Sequence, residues 1–170
     1  MVLVALPQEA GATKKVYSPI VEKGEWEIEA RGQYDIDERA AKDNAQKQKY
    51  ALGYGVTGHW FTEVYGEWER EKNDKDEDLT FKFTSISWEN RFQLTEQGQF
   101  PVDVGAYIEY EASFEDKHAD NIETKLLLEK SFTKLTHTLN LTLEQKVGRH
   151  TREDLVGGLA WSSRYRWKEW

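Results

Sequence analysis

Carboxylates recur at alternate positions along this chain, as Glu27 and Glu29, Glu67 and Glu69, and Glu109 and Glu111. Two carboxyl groups held roughly 5 to 9 Å apart are the working pair of a glycosidase. Three pairs arising from one repeated spacing have a plainer source, a strand with one ionisable face. Arg31, Arg91, Lys125, Arg164 and Arg166 follow the same spacing onto that face. Ser162 and Ser163 have no predicted His neighbour on their own face, and His137 falls on the opposite side from Thr136 and Thr138, so no Ser-His-acid set is expected. The four His, at 59, 118, 137 and 150, have no metal-ligand spacing. The chain has no Cys, which removes thiolate sites and disulfides. Neither a catalytic residue, a metal site nor a cofactor is expected.

What the spacing does specify is strands. From Trp26 to Ile36 the chain alternates without a break, with Trp26, Ile28, Ala30, Gly32, Tyr34 and Ile36 on one side and Glu27, Glu29, Arg31, Gln33 and Asp35 on the other. Period two with turn punctuation predicts eight strands, over about 25–37, 49–57, 60–71, 79–94, 102–114, 122–132, 135–147 and 155–167. The fourth changes phase between Phe83 and Ile86, as a β-bulge does. Residues 38–49 contain helix formers but almost nothing apolar for a helix to bury.

Composition agrees with an all-β fold. Aromatics make up 13% of the chain and there are only three Pro, a balance suited to pleated surfaces. The net charge of −8 argues against nucleic acid, whose phosphates an acidic surface repels. No stretch approaches the roughly 20 apolar residues of a membrane helix. Mean hydropathy of −0.80 does not speak against membrane strands, which offer only alternate residues to lipid. Residues 1–15 read as a disordered leader or signal-peptide remnant, with Ala10 and Ala12 in the small-x-small form of a cleavage site; residues 16–170 read as a single barrel domain.

The connections sort by length. Long charged loops are predicted after the first, third, fifth and seventh strands, at 38–48, 72–78, 115–121 and 148–154, and shorter turns after the second, fourth and sixth. Outer-membrane barrels show this asymmetry. On that reading Trp26, Ile28, Tyr34, Trp68, Leu139, Leu141, Trp161, Tyr165 and Trp167 face lipid, with the larger aromatics forming girdles at the strand ends. Lys130 and His137 lie on the same face beside a turn, where their tips can snorkel. The lumen holds a charge network of Glu27, Glu29, Arg31, Glu67, Glu69, Arg91, Glu109, Glu111, Lys125, Arg164 and Arg166. Two arrangements are expected in it. Arg91 and Lys125 flank the Glu109/Glu111 strand, and Arg164 and Arg166 lie beside Glu27 and Glu29 if the last strand closes on the first. Gly53, Gly55, Gly105 and Gly158 relieve crowding inside. The alternative is a soluble eight-stranded lipocalin-like barrel that holds an apolar ligand and has its faces reversed.

The segments Tyr17-Ser-Pro-Ile-Val-Glu-Lys-Gly-Glu-Trp-Glu-Ile-Glu-Ala-Arg-Gly, Tyr54-Gly-Val-Thr-Gly-His-Trp-Phe-Thr-Glu-Val-Tyr and Trp88-Glu-Asn-Arg-Phe-Gln-Leu-Thr-Glu-Gln-Gly resemble an uncharacterised family of outer-membrane β-barrel proteins of Gram-negative bacteria. Leu126-Leu-Leu-Glu-Lys, Thr136-His-Thr-Leu-Asn-Leu and Trp161-Ser-Ser-Arg-Tyr-Arg extend the resemblance over most of the chain after Tyr17. It implies an antiparallel up-and-down transmembrane β-barrel in the outer membrane, with a structural or porin-like and transport-like role and no catalysis. The expected partners are membrane lipid and, in a wider barrel, small solutes or ions. The resemblance also implies further strands in the family, which makes this chain a shortened member, and Trp170 a terminal aromatic out of phase with Trp161, Tyr165 and Trp167.

Overall fold

The computed structural model describes residues 15–34, 36, 45–70, 81–115, 118–148, 151 and 155–167. The expected leader over residues 1–15, except Lys15, most of the loops at 38–48 and 72–78, His150 and Trp170 lie outside the described residues. Eight strands run in chain order: β1 (Trp26–Tyr34), β2 (Gln46–Thr57), β3 (Trp60–Arg70), β4 (Lys82–Gln93), β5 (Asp103–Ser113), β6 (Asp120–Phe132), β7 (Leu135–Val147) and β8 (Leu155–Tyr165). Each pairs antiparallel with its neighbour in sequence. The strand bounds fall close to those expected, because an alternation sustained over nine or more residues leaves little freedom in where a strand lies.

The sheet is curled into a half-barrel. Among the described residues no ladder joins β8 to β1, and both edge strands are exposed along most of their length. This corrects the closure assumed above, and with it the expected contact of Arg164 and Arg166 with Glu27 and Glu29. The bulge lies where the phase change put it. Glu67 pairs with Ser85 while the adjacent Trp68 pairs with Phe83, which leaves Thr84 as the extra residue.

Burial runs opposite to that of an ordinary globular core. Among the described residues the buried set is mainly Glu, Thr, Ser, Asn and Lys, with only seven hydrophobic members beside fifteen polar ones. The large apolar side chains are on the convex side, where Trp26, Ile28 and Trp161 are 65%, 81% and 64% exposed.

A ninth segment contributes to the interior. Residues 15–25 precede β1 and lie as an extended strap across the concave face. Tyr17, Pro19 and Val21 are all buried. Gly24, at φ +83°, turns the strap into β1, and its amide bonds Gly55 O at 2.7 Å.

Candidate functional site: the filled concave face

Register brings the interior carboxylates into line. Glu63 stands opposite Glu89, Glu89 opposite Glu109, Glu109 opposite Glu123, and Glu123 opposite Glu144. One glutamate from each of five consecutive strands therefore sits at one level. Directly opposed like charges destabilise a sheet, so this row depends on what surrounds it.

Cations and phenols supply that surrounding. On the β1 side of the lumen, Arg91 reaches Glu27 at 3.2 Å and Glu89 at 3.5 Å while its guanidinium covers the Phe61 ring at 4.1 Å. Lys125 pairs with Glu123 at 2.6 Å and lies over the rings of Tyr107 and Tyr17. Lys49 sits 3.1 Å from the Tyr65 centroid. Glu109 accepts hydrogen bonds from the hydroxyls of Tyr65 and Tyr107. Arg91 on β4 and Lys125 on β6 do flank the strand of Glu109 and Glu111. Their Cα partners are not those glutamates: Tyr107 stands opposite both. Each cation reaches a different acid.

The remaining expected lumen residues fall on the concave side at other levels. Glu29 pairs with Arg31, and Glu69 with Lys47 at 2.7 Å. Glu67, Glu69 and Glu111 line a cavity of about 200 Å³ at the long-loop end, together with Glu144 and Lys146. Arg164 and Arg166 line a second cavity, of about 330 Å³, at the turn end with Glu27 and Arg91. Neither arginine makes an ion pair with a described residue.

The strap lines the second of these cavities through Ser18, Ile20, Glu22 and Glu25 and was not anticipated. Asn140 grips the main chain of Tyr17 from both sides: its Oδ1 accepts from Tyr17 N at 2.7 Å and its Nδ2 donates to Tyr17 O at 2.8 Å. Gln93 Oε1 accepts from Val21 N at 2.9 Å. The Tyr17 hydroxyl donates to Glu89 at 2.9 Å, and Lys15 reaches Glu27 at 2.5 Å and Glu29 at 3.1 Å. Two glycines are notches for it. A Cβ on Gly55 would stand 1.9 Å from Glu22 O, and one on Gly105 2.8 Å from Pro19 Cβ. Gly53 relieves a different crowding, that of the Phe61 ring. The sequence signals were the alternation of Tyr17, Pro19 and Val21 and the interior glycines, but three residues are too short a period to read.

Charge holds the strap's first residues. Burial disfavours the Lys15 ammonium, but Glu27, Glu29 and Glu63 outweigh it and hold the amine above its usual 10.5. Burial, with the Glu89 charge adding, pushes the Tyr17 phenol above its usual 10.0.

The convex face carries rings at both ends. At the turn end Trp26 packs on Tyr54, Trp60 on Phe92, and Tyr165 on Trp167; at the loop end Tyr50, Trp68, Phe83 and Phe114 form a chain of contacts. Leu52, Val64, Leu126, Leu139, Leu141 and Leu159 lie in register between them. Lys130 turns its amine to Pro101 O. His137 was expected to lack a serine neighbour. In fact it stands opposite Ser163, with Nδ1 2.7 Å from Ser163 Oγ and its ring stacked on Trp161. No carboxylate among the described residues bonds this pair, so it lacks the third member that orients a catalytic histidine.

Comparison with family models, with curated proteins and with solved structures finds no match.

Proposed function

We propose that this chain is an outer-membrane β-barrel protein of a Gram-negative bacterium, with a structural or transport-like role and no catalysis. The observation that carries the reading is the inverted sidedness. A charged, filled concave face is backed by a convex face of exposed Leu, Ile and Val between two aromatic clusters. In a bilayer such a surface meets hydrocarbon in the middle and headgroups at the rims. A soluble barrel holding an apolar ligand needs its apolar residues inside.

Four of the connections support the same reading. Strands β1 and β2 are separated by residues 35–45 and β3 and β4 by 71–81, whereas β2 and β3 are separated by 58–59 and β6 and β7 by 133–134; the expected short turn between β4 and β5, 94–102, is instead longer than the connections 114–119 and 148–154. In hydrocarbon each unpaired edge amide costs several kcal/mol. The reading therefore entails that β1 and β8 gain strand partners in the membrane.

Flotation with liposomes and heat-modifiable gel migration after detergent extraction test the proposal. A monomeric, detergent-free sizing profile would sink it.

A further inference from the structure

The strap occupies its groove as a peptide ligand occupies a receptor. Its main chain is held by the side-chain amides of Asn140 and Gln93, and its alternate side chains Tyr17, Pro19 and Val21 are buried. Backbone hydrogen bonds with pockets for every second residue are how proteins take up an extended segment. Over residues 15–22 the strap makes no backbone-to-backbone hydrogen bond with the described residues of the β1–β8 sheet, the first being Gly24 N to Gly55 O. It can leave without breaking one.

The surface beneath it is acidic. The line from Glu63 to Glu144 crosses five strands, and Glu63 Oε2, on a residue 2% exposed, takes no hydrogen bond from the described residues. The strap brings its own cation to this surface, the Lys15 ammonium on Glu27 and Glu29. Ser18, Ile20 and Glu22 of the strap line the turn-end cavity, together with Glu27, Glu129 and Arg164, and none of residues 15–25 lines the loop-end one. We propose that residues 15–22 are a displaceable plug, and that withdrawing them opens the turn-end cavity down to the line of interior glutamates, a path that favours small cations over anions. This rests on the barrel reading above and adds to it a class of solute and the part that blocks it. Rings of glutamate select cations in other pores by the same Coulombic preference.

The absence of Cys makes a direct test available. Thr142, 6% exposed, follows Asn140 by two positions and stands opposite Lys125, whose amine covers the Tyr17 ring. Thr142→Cys in the full chain, in detergent micelles, is labelled with a cationic and an anionic methanethiosulfonate reagent of similar size. Gly55→Ala is then added, because the new Cβ meets strap atoms, Glu22 O and Gly24 N, ahead of any other. Asn140→Ala serves as a second, independent release. Far-UV circular dichroism checks that each sheet is intact.

The expected result is slow labelling with the strap seated and labelling at least about tenfold faster in either release variant, as the open population rises, with the cationic reagent ahead. Unchanged rates in both folded variants overturn the plug. Equal acceleration of the two reagents overturns the cation preference. Because labelling in micelles does not require insertion and liposome flotation does, failure of the plug and failure of the membrane reading give different results.

Discussion

Trp60 Nε1 donates a hydrogen bond to Asn90 Oδ1 across the β3–β4 ladder at 3.0 Å, and Trp88 Nε1 answers from the other strand with one to Thr62 Oγ1 at 2.9 Å. Asn90 and Thr62 are themselves opposed on the convex face, among Val64, Ile108 and Leu126. Two indoles thus satisfy two polar groups that an apolar surface would otherwise leave bare. Trp60→Phe strands the Asn90 amide, which is 6% exposed. The expected loss is about 1–3 kcal/mol, read by urea unfolding in lipid. Adding Asn90→Leu should recover most of it, since removing both partners removes the unmet need.

Leu141 lies midway along β7 between Leu126 and Leu159. Leu141→Arg should destabilise the lipid-embedded protein by about 2–4 kcal/mol if that position meets the bilayer centre. A change within about 0.5 kcal/mol, the range of an ordinary surface substitution, would place it in water instead.

Arg91 and Arg164 both face the lumen, yet they should behave differently. Arg91→Ala leaves Glu89, fully buried, without its ion-pair partner, and breaking such a pair costs about 3–5 kcal/mol. Arg164→Ala removes a side chain without an ion pair among the described residues, and the cost should be under about 0.5 kcal/mol. In a double-mutant cycle Glu27 should couple to Arg91 and not to Arg164. Coupling to Arg164 would restore closure of β8 on β1.

Strap docking should fail in alkali. The Lys15 and Tyr17 pKa values are both raised in the seated strap, so the seated form holds its protons more tightly than the free one. Docking is then independent of pH below the unseated values of 10.0 and 10.5 and weakens as pH rises past them, because only the released strap gives up its protons. A spin label on Ser18→Cys should gain mobility above pH 10, and Tyr17→Phe combined with Lys15→Met should flatten the transition.

The Ser163–His137 pair should be structural. Ser163→Ala is expected to cost about 1 kcal/mol, one hydrogen bond, and purified protein should hydrolyse short-chain esters no faster than its Ser163→Ala variant. A rate that depends on Ser163 would revive an enzymatic reading.

The strands were legible because every side chain declares its face by parity, and β7 was read at Leu135–Val147 to the residue. Level is a separate quantity. Nothing in the sequence alone says that Glu89 stands opposite Glu109 rather than Glu111, or that His137 meets Ser163, since sliding one strand by two residues preserves every face. The pairing of Arg91 with Glu27 was hidden for the same reason, together with the half-barrel curl that brings β4 within reach of β1. The strap escaped because Asn140 and Gln93 hold its main chain, and a clamp on backbone leaves little trace in side-chain type.

Asn140 follows Tyr17 by 123 positions. A chain made from its N-terminus therefore synthesises its stopper long before the hand that holds it. Until β7 is made, Gln93 of β4 is the one of the two side-chain clamps in place, and the grip on the Tyr17 main chain closes only when Asn140 arrives.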